Sequence, residues 1–109
     1  MKYILNSAVI TTPGSYSYTL IDVKVAQKWL AENNYLSTIG YQETCDALET
    51  ITGVKVPLNR ALTKMQKGDE ALIFRLKNRL NDPNLKGKLT KEFVLKNCEI
   101  GILIKLEEA

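Results

Sequence analysis

Glu70-Ala71-Leu72-Ile73-Phe74-Arg75-Leu76-Lys77 carries the clearest secondary-structure signal in the chain. Leu72, Phe74 and Leu76 occupy every second position, and Ile73, Arg75 and Lys77 lie between them. A period of two belongs to a β-strand, so the two sets face opposite ways. Ahead of it, Ala61 to Met65 reads as another strand, joined to the first through Gln66-Lys67-Gly68-Asp69, a hairpin turn signal. At the far end of the chain Ile100, Ile102, Ile104 and Leu106 alternate with Leu103 and Lys105 on the other side, a third strand. Tyr3 to Ala8 is short, apolar and bounded by Thr11-Thr12-Pro13-Gly14, which reads as a buried strand and a turn. Tyr16, Tyr18 and Leu20 alternate with Ser17 and Thr19 and predict a further strand.

Between these strands the period changes. Asp22 is a good N-cap, and Val25, Trp29 and Leu30 form an apolar stripe at helical spacing that stops near Asn33-Asn34. Ser37-Thr38-Ile39-Gly40 is expected to open a second helix, with Tyr41, Cys45, Leu48 and Ile51 on one face and Gly53 as its stop. Thr90 is placed to cap a short helix through Phe93 and Leu95. The expectation is an α+β fold: about five strands and flanking helices in a single domain over residues 1–109.

Composition bounds the chemistry. The chain has 109 residues, 45% hydrophobic and 25% charged, enough for one core without staples. No apolar run approaches the ~18 residues of a membrane span, and the N-terminus lacks a signal peptide's pattern, so a cytoplasmic protein is expected. Cys45 and Cys98 are far apart and read as two thiols rather than a disulfide. The complete absence of histidine removes the commonest general acid and base and most transition-metal sites, so no metal or cofactor is expected. Residues 1–54 hold three lysines and five acids, whereas residues 55–109 hold twelve lysines and arginines and seven acids. The basic second half suits an anionic partner, although the aromatic interleaving of a single-strand binder is missing.

Three places suit a phosphate. One is the stretch Ser37 to Gly40, as a helix N-terminus with a glycine that allows close approach. The second is Asn59-Arg60 after Val56-Pro57, and the third is Arg75 with Arg79. Taken alone, each arginine reads first as an ordinary surface residue or an ion pair with an acid, and the helix start is a weak signal.

Leu5-Asn6-Ser7-Ala8, Thr11-Thr12-Pro13-Gly14, Ile39-Gly40, Thr44, Gly53-Val54, Val56-Pro57-Leu58-Asn59-Arg60, Gly68-Asp69-Glu70-Ala71-Leu72 and Arg79-Leu80 follow one another in order. This series resembles the viral anti-CRISPR ring nuclease family that acts against type III CRISPR defence, found in archaeal viruses, phages and bacterial mobile elements. The resemblance covers roughly the whole chain. It implies a mixed β-sheet flanked by helices and a homodimer that binds cyclic tetra-adenylate in a cleft across its two-fold axis. Members that cut this messenger use no metal: a ribose 2′-hydroxyl attacks the adjacent phosphate and leaves a 2′,3′-cyclic phosphate. By position, the resemblance implies that Asn6, Ser7, Ile39, Gly40 and Tyr41 line the ligand site, with core packing beside Cys45 and Leu48 as the alternative for the Tyr41 ring. Arg60 and Arg79 would hold phosphate or ribose, and Arg75 would face the ligand.

The departure is at Tyr41. The family reads Ile-Gly-His there, and its histidine is the general acid. Here Ile39-Gly40 is followed by Tyr41 and Gln42. Asp82 lies near the family's acidic position, but in a loop about three residues longer than the family's. A tyrosine, with an ordinary pKa near ~10, donates a proton slowly at neutral pH, and a positioned general acid is worth roughly 10²–10⁴ in rate. The resemblance therefore implies a protein that binds and sequesters cyclic tetra-adenylate or a related adenine-containing cyclic nucleotide. The alternative is a still-active metal-independent ring nuclease. A third reading is a structural protein or a small nucleic-acid binder. No membrane and no duplex nucleic acid are expected as partners.

Overall fold

In the computed structural model, residues 1–7, 12–77 and 90–108 are described. Five strands form one mixed sheet, β1 (Lys2–Leu5), β2 (Gly14–Leu20), β3 (Leu36–Ser37), β4 (Glu70–Leu76) and β5 (Cys98–Glu108), in the order β2-β5-β4-β1-β3. β1 runs parallel to both β3 and β4, and β5 is antiparallel to β4 and β2. The helices are α1 (Val23–Glu32), α2 (Gln42–Thr52) and α3 (Lys91–Lys96).

The alternation in the sequence becomes the two faces of this sheet. Ile4, Leu72, Phe74 and Ile100 point to one side. There they meet Ala26, Trp29 and Leu30 of α1, Cys45, Leu48 and Ile51 of α2 and Val94 of α3 in one buried cluster. All three helices thus cover the same face. On the other face Leu5, Ala71, Ile73 and Leu103 form a smaller cluster closed by Met65. The caps are those the sequence indicates. An Asp22 carboxylate oxygen accepts from the Val25 N–H at 2.9 Å, Thr90 Oγ1 accepts from the Phe93 N–H at 3.1 Å, and Gly53 ends α2 in the left-handed region at φ 74°. Val25 departs from the expected stripe: it is exposed, and Ala26 takes its place in the core beside Trp29 and Leu30.

Two expectations are corrected. Residues 61–65 form no strand, and Gln66 to Asp69 joins no hairpin. Instead residues 55–69 run from Val56 in the helix-side cluster to Met65 in the opposite one, a strap that passes from one face of the sheet to the other. Alternation was absent from this segment, and its apolar residues serve two different clusters. Ser37 to Gly40 opens no helix either. Leu36 and Ser37 form β3, because they pair with Tyr3 and Ile4 and so extend the parallel part of the sheet, and α2 starts only at Gln42.

Candidate functional site at the carboxyl ends of the parallel strands

Of the three parallel strands, β1 and β3 end within a residue of each other, and β4 runs on past them to Leu76. Ile4 is level with Ser37, and Leu5 is level with Ile73. Asn6 and Ser7 leave β1 at this edge, Thr38 to Tyr41 leave β3, and Arg75 is the penultimate residue of β4. In open sheets with parallel strands, ligands characteristically bind outside these carboxyl ends. Asn6 and Ser7 are both half-buried.

The turn after β3 is tied down residue by residue. The Thr38 N–H and Oγ1 both donate to the Ile4 carbonyl, at 3.0 and 2.9 Å. The strap then runs alongside. Ser37 Oγ donates to the Pro57 carbonyl at 2.7 Å, the Asn59 N–H donates to the Ile39 carbonyl at 2.9 Å, and Asn59 Nδ2 donates to the Ser37 carbonyl at 2.7 Å. Asn59 thus fixes the neighbouring Arg60 against the start of α2. Arg60 Nη2 donates to the Gly40 carbonyl at 3.4 Å, and its guanidinium carbon sits 5.3 Å from the centre of the Tyr41 ring. A Cβ on Gly40 would lie 2.9 Å from Arg60 Nε, so the arginine packs on bare glycine backbone and would have to shift for any larger residue.

Tyr41 is the N-cap of α2 and makes no side-chain cap bond; its carbonyl accepts from the Thr44 and Cys45 N–H groups at 3.2 Å. Its ring is 56% exposed, which corrects the expectation that it shares the core face of Cys45 and Leu48. The extended backbone before the first helical turn swings the ring outward. The open end of the helix is also displaced from Ser37–Gly40 to Gln42 and Glu43, and the Glu43 carboxylate already complements the helix dipole there. Ile39 is fully buried in the helix-side core, so it reaches the site only through its backbone.

Arg75 lies on the sheet face away from the helices, opposite Glu99 of β5. Its Nη2 is 3.4 Å from Glu99 Oε1, and Tyr18 Oη donates to Glu99 Oε2 at 2.9 Å. Burial, reinforced by the Glu99 carboxylate, pushes the Tyr18 phenol up to about 12, with Arg75 pulling the other way. Tyr18 and Glu99 were missed by the sequence reading. Their juxtaposition depends on the β2–β5–β4 register, and nothing in the local pattern of either segment announces it. Arg79 and Asp82 lie outside the described residues.

Chemically, the edge offers a guanidinium stacked on an exposed aromatic ring, a second guanidinium on β4, and the side chains after β1. Arginine forks suit phosphate oxygens, and both the arginine plane and the tyrosine face suit a base. Arg60 has no ion-pair partner among the described residues. Cys45 and Cys98 are free thiols, both pushed up by burial. Among the described residues no cluster of three or more Cys, Asp or Glu side chains is placed to hold a metal ion, and no helix is long and apolar enough to cross a membrane.

Known proteins share this architecture. The fold matches B116 of Sulfolobus turreted icosahedral virus with a TM-score of 0.77 over 94% of this chain and 97% of that one, at 20% identity. Protein 26 of Sulfolobus islandicus filamentous virus (isolate Iceland/Hveragerdi) is 30% identical over 84% of this chain and 77% of its own length. YddF of Bacillus subtilis (strain 168) is 32% identical over 69% of this chain and 71% of its own. ORF117 of Acidianus two-tailed virus is 30% identical over 72% and 71%. The pattern of one family matches residues 2–102: the chain belongs to the STIV B116-like family.

Proposed function

We propose that this protein binds and sequesters an adenine-containing cyclic nucleotide messenger of antiviral defence, cyclic tetra-adenylate or a close relative, and so acts as an anti-defence protein. The observation that carries the reading is the Arg60–Tyr41 pair over Gly40 at the carboxyl end of the parallel strands. It combines a cation that has no ion-pair partner among the described residues, suited to phosphate, with an exposed aromatic face for adenine. The presence of family members in two archaeal viruses is in keeping with an anti-defence role. Tyr41 occupies the position at which the ring nuclease pattern has its histidine, so the general acid is missing while the groups that confer affinity remain. A two-fold dimer would present each arginine twice to a ring of repeated phosphates.

The test is a native mass spectrum of the protein after exposure to a panel of cyclic adenylates, followed by chromatography of the released nucleotide. The expected result is a dimer that retains intact cyclic tetra-adenylate or one of its relatives. Tyr41→His is expected to gain metal-independent cleavage of bound cyclic tetra-adenylate. Retention of no nucleotide overturns the binding reading, and rapid conversion by the parent protein overturns sequestration in favour of catalysis.

A further inference from the structure

We infer that Glu99 is a built-in competitor for Arg75, with Tyr18 setting how strongly it competes, so that this cluster tunes the affinity of the nucleotide site; the inference rests on the binding reading above.

Arg75 and Glu99 are direct cross-strand partners, and each oxygen of the carboxylate has its own donor. The division is unequal. The Tyr18 hydroxyl sits at 2.9 Å, while the Arg75 guanidinium stands off at 3.4 Å. Charge-assisted contacts normally close to about 2.7–2.9 Å and prefer a two-pronged fork. Tyr18 competes with that fork by donating to the second oxygen. It reaches there from β2 because Gly101 lies beneath its ring; a Cβ on Gly101 would come within 2.5 Å of Tyr18 Cε1. The phenol, pushed up to about 12, stays a neutral donor across the working pH range. Arg75 is therefore weakly restrained, and its side chain is half exposed whereas that of Glu99 is three-quarters covered. An incoming phosphate competes with one carboxylate oxygen for this guanidinium.

Tyr18 and Glu99 thus act through Arg75, and the two are expected to act with opposite signs. Glu99→Gln keeps the shape and an acceptor for the Tyr18 hydroxyl but removes the charge. It is expected to tighten binding of cyclic tetra-adenylate about two- to fivefold. Tyr18→Phe frees the second oxygen for a two-pronged pair with Arg75 and is expected to weaken binding by a similar factor. Both shifts are expected to vanish when Arg75→Ala is combined with either change. Titration calorimetry of the full chain with cyclic tetra-adenylate and the other cyclic adenylates measures all of these, and thermal unfolding confirms that each variant is folded. A parent protein that binds while Glu99→Gln leaves the affinity unchanged or lowers it overturns the inference alone. Shifts that persist in the Arg75→Ala background overturn it too, because the cluster would then act through some other group. A parent protein that binds no member of the panel overturns the binding reading and this inference with it.

Discussion

Replacing Arg60 with alanine separates a binding group from a structural one. In the folded chain Arg60 makes a long hydrogen bond to the Gly40 carbonyl, at 3.4 Å, and a cation–π contact to Tyr41 at 5.3 Å. A bond that long contributes little, at most about 0.5 kcal/mol. An exposed cation–π contact contributes about 0.5–1 kcal/mol. The strap keeps its hold on β3 through Asn59 and Ser37, which the substitution leaves alone. The expected destabilisation is therefore about 1 kcal/mol, a fall in Tm of roughly 4–8 °C for a domain of this size. A charge-assisted bond to phosphate is worth about 1.5–3 kcal/mol net, so the dissociation constant for cyclic tetra-adenylate should rise about ten- to a hundredfold. Urea denaturation and titration calorimetry on the same preparation give both numbers. The reasoning fails if Arg60→Ala costs more than about 2 kcal/mol in stability while the affinity of the folded protein stays that of the parent, because Arg60 would then be a structural brace and the ligand site would lie elsewhere.

Gly40→Ala should weaken binding nearly as much as Arg60→Ala with a smaller loss of stability, since the new Cβ displaces Arg60 Nε from 2.9 Å without reaching the core; unchanged affinity by calorimetry would contradict the close-approach argument. Phe74→Ala, at a fully buried position between the sheet and the helices, should cost about 3–5 kcal/mol in urea denaturation, and a loss below about 1.5 kcal/mol would contradict the assigned core. Tyr18 should appear in a phenolate absorbance titration as a group ionising near 12, against an ordinary value of 10.0, and Glu99→Gln should move it down. Its protonated form is favoured by the fold, so the stability it contributes is complete below pH 10 and is lost as the pH rises towards 12; a Tyr18→Phe variant should lack this part of the alkaline loss.

How much was legible in the sequence varied with the range of the interaction responsible. Elements determined by neighbours were readable. Leu72, Phe74 and Leu76 alternate because a strand has a period of two, and they do share a face with Ile100. Asp22, Thr90 and Gly53 mark helix ends because capping is a contact within one turn of the chain. The motif residues of the edge, Gly40, Asn59 and Arg60, could be singled out in advance by residue type, and the structure brings the three together.

What tertiary structure alone decided were the features that depend on register and on which segments meet. Two residues, Leu36 and Ser37, are too short to announce a strand, and they become one only because β1 offers an edge to pair with. The strap looked like a hairpin arm because Ala61 to Met65 is partly apolar, yet its ends belong to opposite faces of the sheet, which no local period encodes. Tyr41 carried the helical spacing of a core residue, but the late start of α2 left it in extended backbone with its ring in solvent. The Tyr18–Glu99–Arg75 cluster joins three strands spread over much of the chain. A shift of one residue in either pairing would send its side chains to different faces, so it exists only once the sheet has closed.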